Sequence, residues 1–386
     1  MSEENNNGRN QQHQQGVGSA SWPRIIIAGG GTGGHIFPAI AIANAIVKIA
    51  PTTEILFVGA NGKMEMEKVP QAGYNIRGIN IAGFNRSSLI KNIALPYKLL
   101  TSFLQVREIF RLFKPTAVIG VGGYSSFPVL KFAQAKRIPT FIHESNSFAG
   151  KANKLLGKQA TKIFVASDGM DKFFPAQKLL LSGNPVRVSI TGSAVTREDA
   201  LRFFGLSPQK KTVLSIGGSL GAKNINEALA AGLNRFEENE LQLIWQTGKP
   251  FAETAGKIAE GKANVWASDF IVQMEYAYAA ADIVISRSGA MSVAELCVMK
   301  KPVIFVPYPF AAEDHQTVNA QQLVNKNAAL MIKDSDAMQS LLPTLFELSK
   351  AERRQQQLID NISQLTITDA DTVIAMEILR ALQEAG

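Results

Sequence analysis

Short apolar runs alternate with longer segments of helical periodicity along this chain. In the first half the apolar runs lie at 24–28, 54–59, 117–121, 139–143, 162–166 and 179–182, with helical patterns notably at 36–49 and 93–113. In the second half they lie at 212–216, 242–246, 264–267, 282–285 and 302–306, and residues 345–386 are strongly helical. Strands that alternate with helices predict parallel sheets covered by helices. We therefore expect an α/β protein with two Rossmann-like, doubly wound parallel-sheet domains facing a central cleft.

The segment Gly183-Asn184-Pro185-Val186-Arg187 divides the two halves, because it ends a strand and carries turn residues. The expected organisation is a disordered polar extension at 1–22, one Rossmann-like domain at 23–185 and a second at 186–368. The last segment, 369–386, is expected to form a helix that packs back on the first domain.

Composition narrows the class of protein. The 386 residues are 46% hydrophobic and 19% charged, which is typical of a soluble globular protein. No apolar run approaches the ~20 residues that span a bilayer, and the Gln/Asn-rich residues 1–22 lack a signal-peptide core. Cys297 is the single cysteine, which excludes an intrachain disulfide or a cysteine-cluster metal site and favours a reduced, cytoplasmic compartment.

The net charge of +8 is unevenly distributed. Residues 1–187 carry 22 Lys and Arg against 9 Asp and Glu, whereas the remainder carries 18 against 23. A basic first half is suited to nucleic acid, an anionic membrane or a phosphorylated substrate, although a solvated basic surface explains it as well.

Two glycine-rich turns each follow a strand and precede a helix. The first is Gly29-Gly30-Gly31-Thr32-Gly33-Gly34-His35, and the second is Gly217-Gly218-Ser219-Leu220-Gly221. A backbone without Cβ atoms approaches an anion closely, and a helix N-terminus offers free N–H groups. The first turn lacks both a P-loop lysine and a convincing ribose-binding acid, which disfavours an NTPase and a dehydrogenase.

Polar residues at the ends of strands in the first half are candidates for the chemistry. His35 lies at a helix N-terminus and is suited to act as a general base, with a capping or structural role as the alternative. Gly120-Val121-Gly122-Gly123 follows another strand and predicts either a phosphate or sugar contact or tight packing. His143-Glu144-Ser145-Asn146-Ser147 places an acid and an amide at the same rim, although turn formation also explains them.

In the second half the strongest segment is 286–295, SRSGAMSVAE. Its helix N-terminus is suited to a diphosphate, with Arg287 available to neutralise charge. Glu295 is suited to ribose hydroxyls, or is simply a solvated carboxylate. Glu313, Asp314, His315, Gln316 and Asn319 supply sugar-type hydrogen-bonding groups. Because no second histidine lies at ligand spacing, we expect no metal site and no cofactor.

The stretch 81–92 combines apolar residues with basic ones, as an interfacial membrane contact requires. Its candidate contact residues are Phe84, Arg86, Leu89, Ile90 and Lys91. The helix that follows adds Lys98, Arg107, Arg111 and Lys114, but its leucines and phenylalanines are expected to be mostly core.

Seven motifs, in order, resemble the bacterial family of lipid II-forming N-acetylglucosaminyltransferases from Arg24 to the C-terminus. They are GGGTGGHIFPA, GVGGYSSFP, HESNSFAGKANK, GNPVR, GGSLGAKNIN, SRSGAMSVAEL and DHQTVNA. The resemblance implies a GT-B fold, with an acceptor-binding, membrane-associated first domain and a UDP-sugar-binding second domain. It implies an inverting transfer of N-acetylglucosamine from UDP-N-acetylglucosamine to the C4 hydroxyl of an undecaprenyl-diphospho-muramyl-pentapeptide. It also implies peripheral attachment to an anionic membrane on the cytoplasmic face, in peptidoglycan synthesis.

The resemblance also implies particular donor contacts. They are Thr32, Gly33, Gly34, Asn146, Arg187, Ser219, Ile271, Ala290, Met291, Ser292, Val293, Ala294, Glu295 and Gln316. Ile271 would meet uracil through its backbone, Glu295 the ribose and Gln316 the transferred sugar. The family more often has Gln at Ser145 and Gly at Phe127, both on the acceptor rim.

The expected mechanism uses His35 as the base, with Glu144 in reserve, and meets the leaving diphosphate with Ser219, Arg287 and a helix N-terminus. Three other functions compete with this one. The chain could glycosylate another lipid such as a diacylglycerol, or act as a UDP-sugar epimerase, which would leave the basic 81–92 loop without a task. A non-catalytic nucleotide- or nucleic-acid-binding module ranks last, because the interleaved aromatic and basic surface of such binders is missing; we expect no nucleic-acid partner.

Overall fold

The computed structural model describes residues 23–83, 95–218 and 220–385 and contains two parallel sheets. The first sheet has the strand order β3-β2-β1-β4-β5-β6-β7. Its strands are β1 Arg24–Ala28, β2 Glu54–Ala60, β3 Asn75–Ile79, β4 Ala117–Gly120, β5 Thr140–Glu144, β6 Lys162–Val165 and β7 Leu179–Leu181. The second sheet has the order β10-β9-β8-β11-β12-β13. Its strands are β8 Lys211–Ile216, β9 Leu241–Gln246, β10 Val265–Ser268, β11 Ile283–Ser286, β12 Val303–Phe305 and β13 Leu330–Met331.

Helices cover both sheets. In the first half they are α1 Gly33–Ile49, α2 Glu65–Gln71, α3 Leu95–Phe113, α4 Ser126–Ala135 and α5 Lys151–Gly157. In the second half they are α6 Val188–Thr191, α7 Arg197–Phe204, α8 Lys223–Ala231, α9 Asn234–Glu238, α10 Ala252–Ala259, α11 Met274–Ala280, α12 Ala290–Met299, α13 His315–Val324, α14 Ala337–Lys350, α15 Glu352–Ser363 and α16 Ala370–Ala385. None of the helices within the described ranges is long and apolar enough to cross a membrane.

The order of the strands determines where a ligand can bind. In each sheet the chain moves outward from the central strand in one direction and then returns to continue on its other side, so β1 lies between β2 and β4, and β8 between β9 and β11. In open sheets of this kind, ligands bind outside the carboxyl ends of the strands at that reversal. The first glycine turn follows β1 and the second follows β8, so both lie at this position.

The two strands that the hydrophobic pattern missed lie at sheet edges. The sequence of β3 is Asn75-Ile76-Arg77-Gly78-Ile79. Because polar residues occupy alternate positions, this strand does not form an apolar run. β13 has only two residues. Edge strands bury one side less completely and so need fewer apolar residues.

Two segments connect the sheets, and the second returns the chain to its start. The chain passes from β7 to α6 through residues 182–187, and from α15 to α16 through 364–369. Helix α16 then packs against α1, and Ile374, Ala375 and Ile378 share one buried cluster with Ile25 and Ile42. The core of the first sheet is therefore built from both ends of the described chain.

Candidate active site in the cleft between the sheets

Helices α1, α8 and α12 begin at glycine-containing turns, and no side chain of their own first turns compensates the charge of their N-termini. The N-cap residues of α1, α8 and α12 are Thr32, Ala222 and Gly289, and none makes a side-chain capping hydrogen bond. None of these helices has an acidic residue in its first turn. Helix N-termini carry unpaired N–H groups and a partial positive charge. All three are therefore suited to polar or anionic ligand groups.

The turn between β1 and α1 packs directly on the turn after β4. The Gly30 N–H donates to the Gly122 carbonyl at 3.3 Å. A Cβ atom at Gly123 would lie 2.4 Å from the Gly30 carbonyl oxygen, and one at Gly122 would lie 2.7 Å from Cε1 of His35. Close packing therefore requires the glycines of the turn after β4, which is one of the two explanations that the sequence leaves open. This packing places the His35 ring directly against the backbone of Gly122, which has no side chain.

Burial keeps the His35 imidazole neutral. Desolvation lowers the pKa of His35 below 6.5, and the nearby His315 lowers it further, while the backbone of Val121 and the Glu65 carboxylate act in the opposite direction. The Nδ1 atom is buried and has no hydrogen-bond partner among the described residues. A neutral ring has a nitrogen lone pair at pH 7 and is chemically able to accept a proton.

The rim after β5 is an internal hydrogen-bond network. The Glu144 carboxylate accepts from the Asn153 side chain at 2.8 Å and from the Gly150 and Asn146 N–H groups at 3.1 and 3.2 Å. Burial raises the pKa of Glu144, and these donors partly offset that effect. In this structure the carboxylate therefore organises the loop from 146 to 150, and turn formation accounts for its position.

Two asparagines join the domains at the floor of the cleft. Asn319, from α13, accepts from the Ser147 N–H at 2.9 Å and donates to Oδ1 of Asn146 at 3.2 Å. It also donates to the Ser288 carbonyl at 3.2 Å. Asn184 donates to the Ser145 carbonyl at 3.0 Å and to the Ala290 carbonyl of the second domain at 3.4 Å. Asn146, a predicted donor contact, is thus held by the opposite domain.

Arg187, which immediately precedes α6, forms an ion pair with Glu295 on α12. The Arg187 guanidinium donates to Oε1 of Glu295 at 2.9 Å and lies over the Phe37 ring. The Tyr278 hydroxyl donates to Oε2 of Glu295 at 2.9 Å. Glu295 is buried, which excludes the alternative of a solvated helix carboxylate. Tyr278 gave no signal in the sequence, because its helix reads as an ordinary apolar segment.

The first turn of α13 presents the Gln316 amide to the cleft in a defined orientation. Oε1 of Gln316 accepts from the Tyr308 N–H at 3.0 Å and from the Ser288 N–H at 3.3 Å. Because both partners are donors, the oxygen must face them and the NH₂ group stays available to donate. Just before it, Glu313 and Asp314 have positive φ angles of 55° and 52°, a conformation that costs energy for residues other than glycine.

Arg287 does not stand free at the turn before α12, in contrast to the expectation. Its guanidinium donates to Oδ1 of Asp334 at 2.5 Å and to the Val306 carbonyl at 2.8 Å. Both partners of the ion pair are largely buried. Asp334 therefore already neutralises the charge that was expected to meet a diphosphate, and the pair anchors the end of β12.

The remaining predicted residues are placed as follows. Ile271 is buried, so its side chain belongs to the core and its backbone alone can meet a ligand. Residues 290–294 form the first turns of α12 and are partly exposed. Ser219 and the membrane candidates Phe84, Arg86, Leu89, Ile90 and Lys91 lie outside the described residues. In the parts of the chain that the structure describes, no group of three or more His, Cys, Asp or Glu side chains is placed to hold a metal ion.

Both halves of the chain match family models. Residues 25–165 match the glycosyltransferase family 28 N-terminal domain, and residues 212–373 match the glycosyltransferase family 28 C-terminal domain. A UDP-N-acetylglucosamine--N-acetylmuramyl-(pentapeptide) pyrophosphoryl-undecaprenol N-acetylglucosamine transferase of Bacteroides fragilis is 49% identical, and the match covers 100% of both chains. The protein of that name from Phocaeicola vulgatus is 52% identical over 92% of this chain and 96% of its own.

Solved structures agree on the fold. The crystal structure of Acinetobacter baumannii MurG superposes with a TM-score of 0.76 at 28% identity, covering 93% of this chain and 99% of that one. A UDP-GlcNAc 2-epimerase from Neisseria meningitidis has a TM-score of 0.65 at 13% identity, covering 92% and 100%, which shows the shared fold alone.

Two parallel sheets around a cleft with uncapped helix N-termini, together with both family matches, define a glycosyltransferase of the GT-B fold. More narrowly, the chain belongs to glycosyltransferase family 28, and within it to the family of the MurG-type transferases named above.

Proposed function

We propose that this protein transfers N-acetylglucosamine from UDP-N-acetylglucosamine to the C4 hydroxyl of undecaprenyl-diphospho-N-acetylmuramoyl-pentapeptide. The full-length 49% identity to the Bacteroides fragilis transferase carries the choice of substrates. The cleft supports it, because a neutral, partly buried histidine lies on one side and a set of polar groups suited to a sugar nucleotide lies on the other.

In the proposed mechanism His35 is the general base. The acceptor C4 oxygen attacks the anomeric carbon from the face opposite UDP, and its proton passes to a ring nitrogen of His35. The bond from the anomeric carbon to the diphosphate oxygen breaks, and UDP leaves with the electron pair. Configuration at the anomeric carbon is inverted. General base catalysis of this kind typically contributes 10²–10⁴-fold.

The second domain is proposed to hold the donor. The N-terminus of α12 faces the diphosphate and stabilises the negative charge that grows on it. Oε2 of Glu295 accepts one hydrogen bond, from Tyr278, and keeps lone pairs for a ribose hydroxyl. The Gln316 NH₂ group donates to the transferred sugar, and the Ile271 backbone meets uracil.

A reconstituted transfer assay tests substrate and base together. Labelled UDP-N-acetylglucosamine is supplied with either the undecaprenyl-linked muramyl-pentapeptide or a diacylglycerol. We expect transfer to the first acceptor, a loss of 10²-fold or more in kcat for His35→Ala, and a UDP Kd unchanged by calorimetry. Transfer to the diacylglycerol alone would overturn the substrate. A loss of kcat in Glu144→Gln with full activity in His35→Ala would transfer the role of base to Glu144.

We further propose that α3 contributes to peripheral attachment at the cytoplasmic face of an anionic membrane. Leu100 and Leu104, one helical turn apart, are 63% and 59% exposed, so the expectation that the α3 leucines are core is wrong for both. Val106 and Phe110 are the buried apolar residues of this helix. Exposed apolar residues beside the basic side chains of the same helix suit a lipid interface.

Vesicle flotation tests the attachment. Leu100→Ser/Leu104→Ser is expected to reduce binding to vesicles containing phosphatidylglycerol, whereas Met338→Ser, an exposed apolar residue of the second domain, is the control. Equal binding by the double variant and the control would remove α3 from the contact.

A further inference from the structure

A buried carboxylate lies directly beneath the first glycine turn. Glu65, the first residue of α2, is 1% exposed. Its Oε2 accepts from the Gly31 N–H at 2.8 Å, and its Oε1 accepts from the Ala60 N–H at 3.0 Å. The side chain thus ties the turn after β1 to the end of β2.

The neighbouring glycines make room for this carboxylate. A Cβ atom at Gly30 would lie 2.3 Å from Cδ of Glu65, and a Cβ at Gly59 would lie 2.4 Å from its Cγ. Gly30 also has a φ of +145°, which disfavours a side chain. These two glycines are therefore explained by an internal side chain rather than by approach of a ligand.

The same turn leads within four residues to His35. Hydrogen bonds to a carboxylate are among the stronger ones in proteins. A turn made largely of glycine has little intrinsic conformational preference of its own. Among the described residues, the ionisable groups that shift the pKa of His35 are His315, which lowers it, and Glu65, which raises it. His35 in turn contributes to the lowered pKa of the buried His143.

We propose that Glu65 is a positioning residue that fixes the first glycine turn and, through it, the orientation of the His35 ring toward the acceptor. This assignment rests on the proposed function, because His35 is the base in that scheme. Glu65 itself stays inside the protein and contacts no substrate.

Two substitutions and a matched control distinguish a positioning role of Glu65 from a general contribution to the stability of the fold. Glu65→Ala removes both acceptors, and Glu65→Gln keeps the shape but removes the charge and one of the two acceptor oxygens. Glu67→Gln, on the exposed face of the same helix, is the control. We expect kcat to fall at least 10-fold in Glu65→Ala and Glu65→Gln, with the UDP Kd within twofold of the parent, and no change in Glu67→Gln.

The pH dependence of kcat/KM is a second measurement, and a change in the stability of the fold alone would not shift its acid limb. Because the Glu65 charge raises the pKa of His35, its removal in Glu65→Gln moves the acid limb of kcat/KM to lower pH. Glu65→Asp is expected to recover part of kcat. Unchanged kcat in Glu65→Gln, or an equal loss of UDP affinity and kcat with an unmoved acid limb, would overturn the proposal.

Hydrogen exchange distinguishes failure of this proposal from failure of the proposed function. The Gly31 and Ala60 amides are expected to exchange at least 10-fold faster in Glu65→Ala than in Glu67→Gln, whatever the reaction. If exchange rises as expected but His35→Ala retains full activity, the base assignment fails and the link from Glu65 to catalysis fails with it. Unchanged exchange at both amides would contradict the role of Glu65 in the turn.

Discussion

Substituting Gly122 by alanine is expected to disable the active site without disturbing donor binding. The added Cβ would lie 2.7 Å from Cε1 and 2.8 Å from Nδ1 of His35. Carbon atoms normally approach to about 3.5–4.0 Å, so the ring must retreat by roughly 1 Å. A misplacement of that size is able to cost about 10²-fold in rate.

The backbone at Gly122 contributes a second, separable effect. Its φ of +92° is one that side chains rarely adopt, at a cost of about 1–3 kcal/mol. Gly62→Ala is the matched control, because Gly62 has a φ of +70° and a Cβ added there would meet no atom beyond its chain neighbours within 4 Å. We expect both variants to lose stability, and only Gly122→Ala to lose kcat.

The assay combines single-turnover transfer with urea unfolding and calorimetric titration of UDP. The expected result for Gly122→Ala is a fall of about 10²-fold in kcat, a UDP Kd within twofold of the parent and a loss of about 1–3 kcal/mol in the free energy of unfolding. Equal kcat values for Gly122→Ala and Gly62→Ala would refute the idea that the His35 ring depends on this bare backbone.

Three further outcomes are expected. Burial lowers the pKa of His143 from 6.5 to about 4. Between these pH values the native state binds fewer protons than the unfolded state, so acidification destabilises the native state. When the pH falls from 7.5 to 5, we expect urea unfolding to show that the parent loses about 2 kcal/mol more free energy of unfolding than His143→Gln. Tyr278→Phe removes a hydrogen bond to the buried Glu295 carboxylate and should lower the free energy of unfolding by about 1.5–3 kcal/mol. The control is Tyr276→Phe on the same helix, for which we expect a smaller loss. Equal losses would show that the contact with Glu295 contributes nothing to stability. Gly221→Ala would bring a Cβ within 2.3 Å of the Thr247 carbonyl oxygen, and this clash would distort the second glycine turn. We therefore expect the affinity for UDP to fall while binding to vesicles stays constant. An unchanged Kd for UDP would place the nucleotide elsewhere.

The regular part of the fold was accessible from the sequence because buried parallel strands are nearly continuous apolar runs. β1, β2, β8 and β9 are of this kind, and each glycine turn follows such a strand. β3 escaped prediction because Asn75 and Arg77 occupy its exposed positions at a sheet edge.

The side-chain partners within the site were beyond prediction for a different reason. Asp334 lies 47 positions after Arg287 and Tyr278 lies 17 before Glu295, and no local pattern links either pair. Glu65 sits in the polar stretch NGKMEMEKVP beside the exposed Glu67, so composition gives no sign that one of these carboxylates is buried. Pairings of this kind are decided by tertiary packing.

The return of α16 to the first domain ties the assembly of that domain to the order of synthesis. Ile374 and Ile378 complete a buried cluster that contains Ile25 and Ile42, which lie 332 to 353 residues earlier in the chain. During translation the first sheet leaves the ribosome with this surface of α1 uncovered, and the surface stays uncovered until the whole second sheet has been made. The domain made first is thus the one finished last, and a nascent chain exposes an apolar α1 face to chaperones until its final helix emerges.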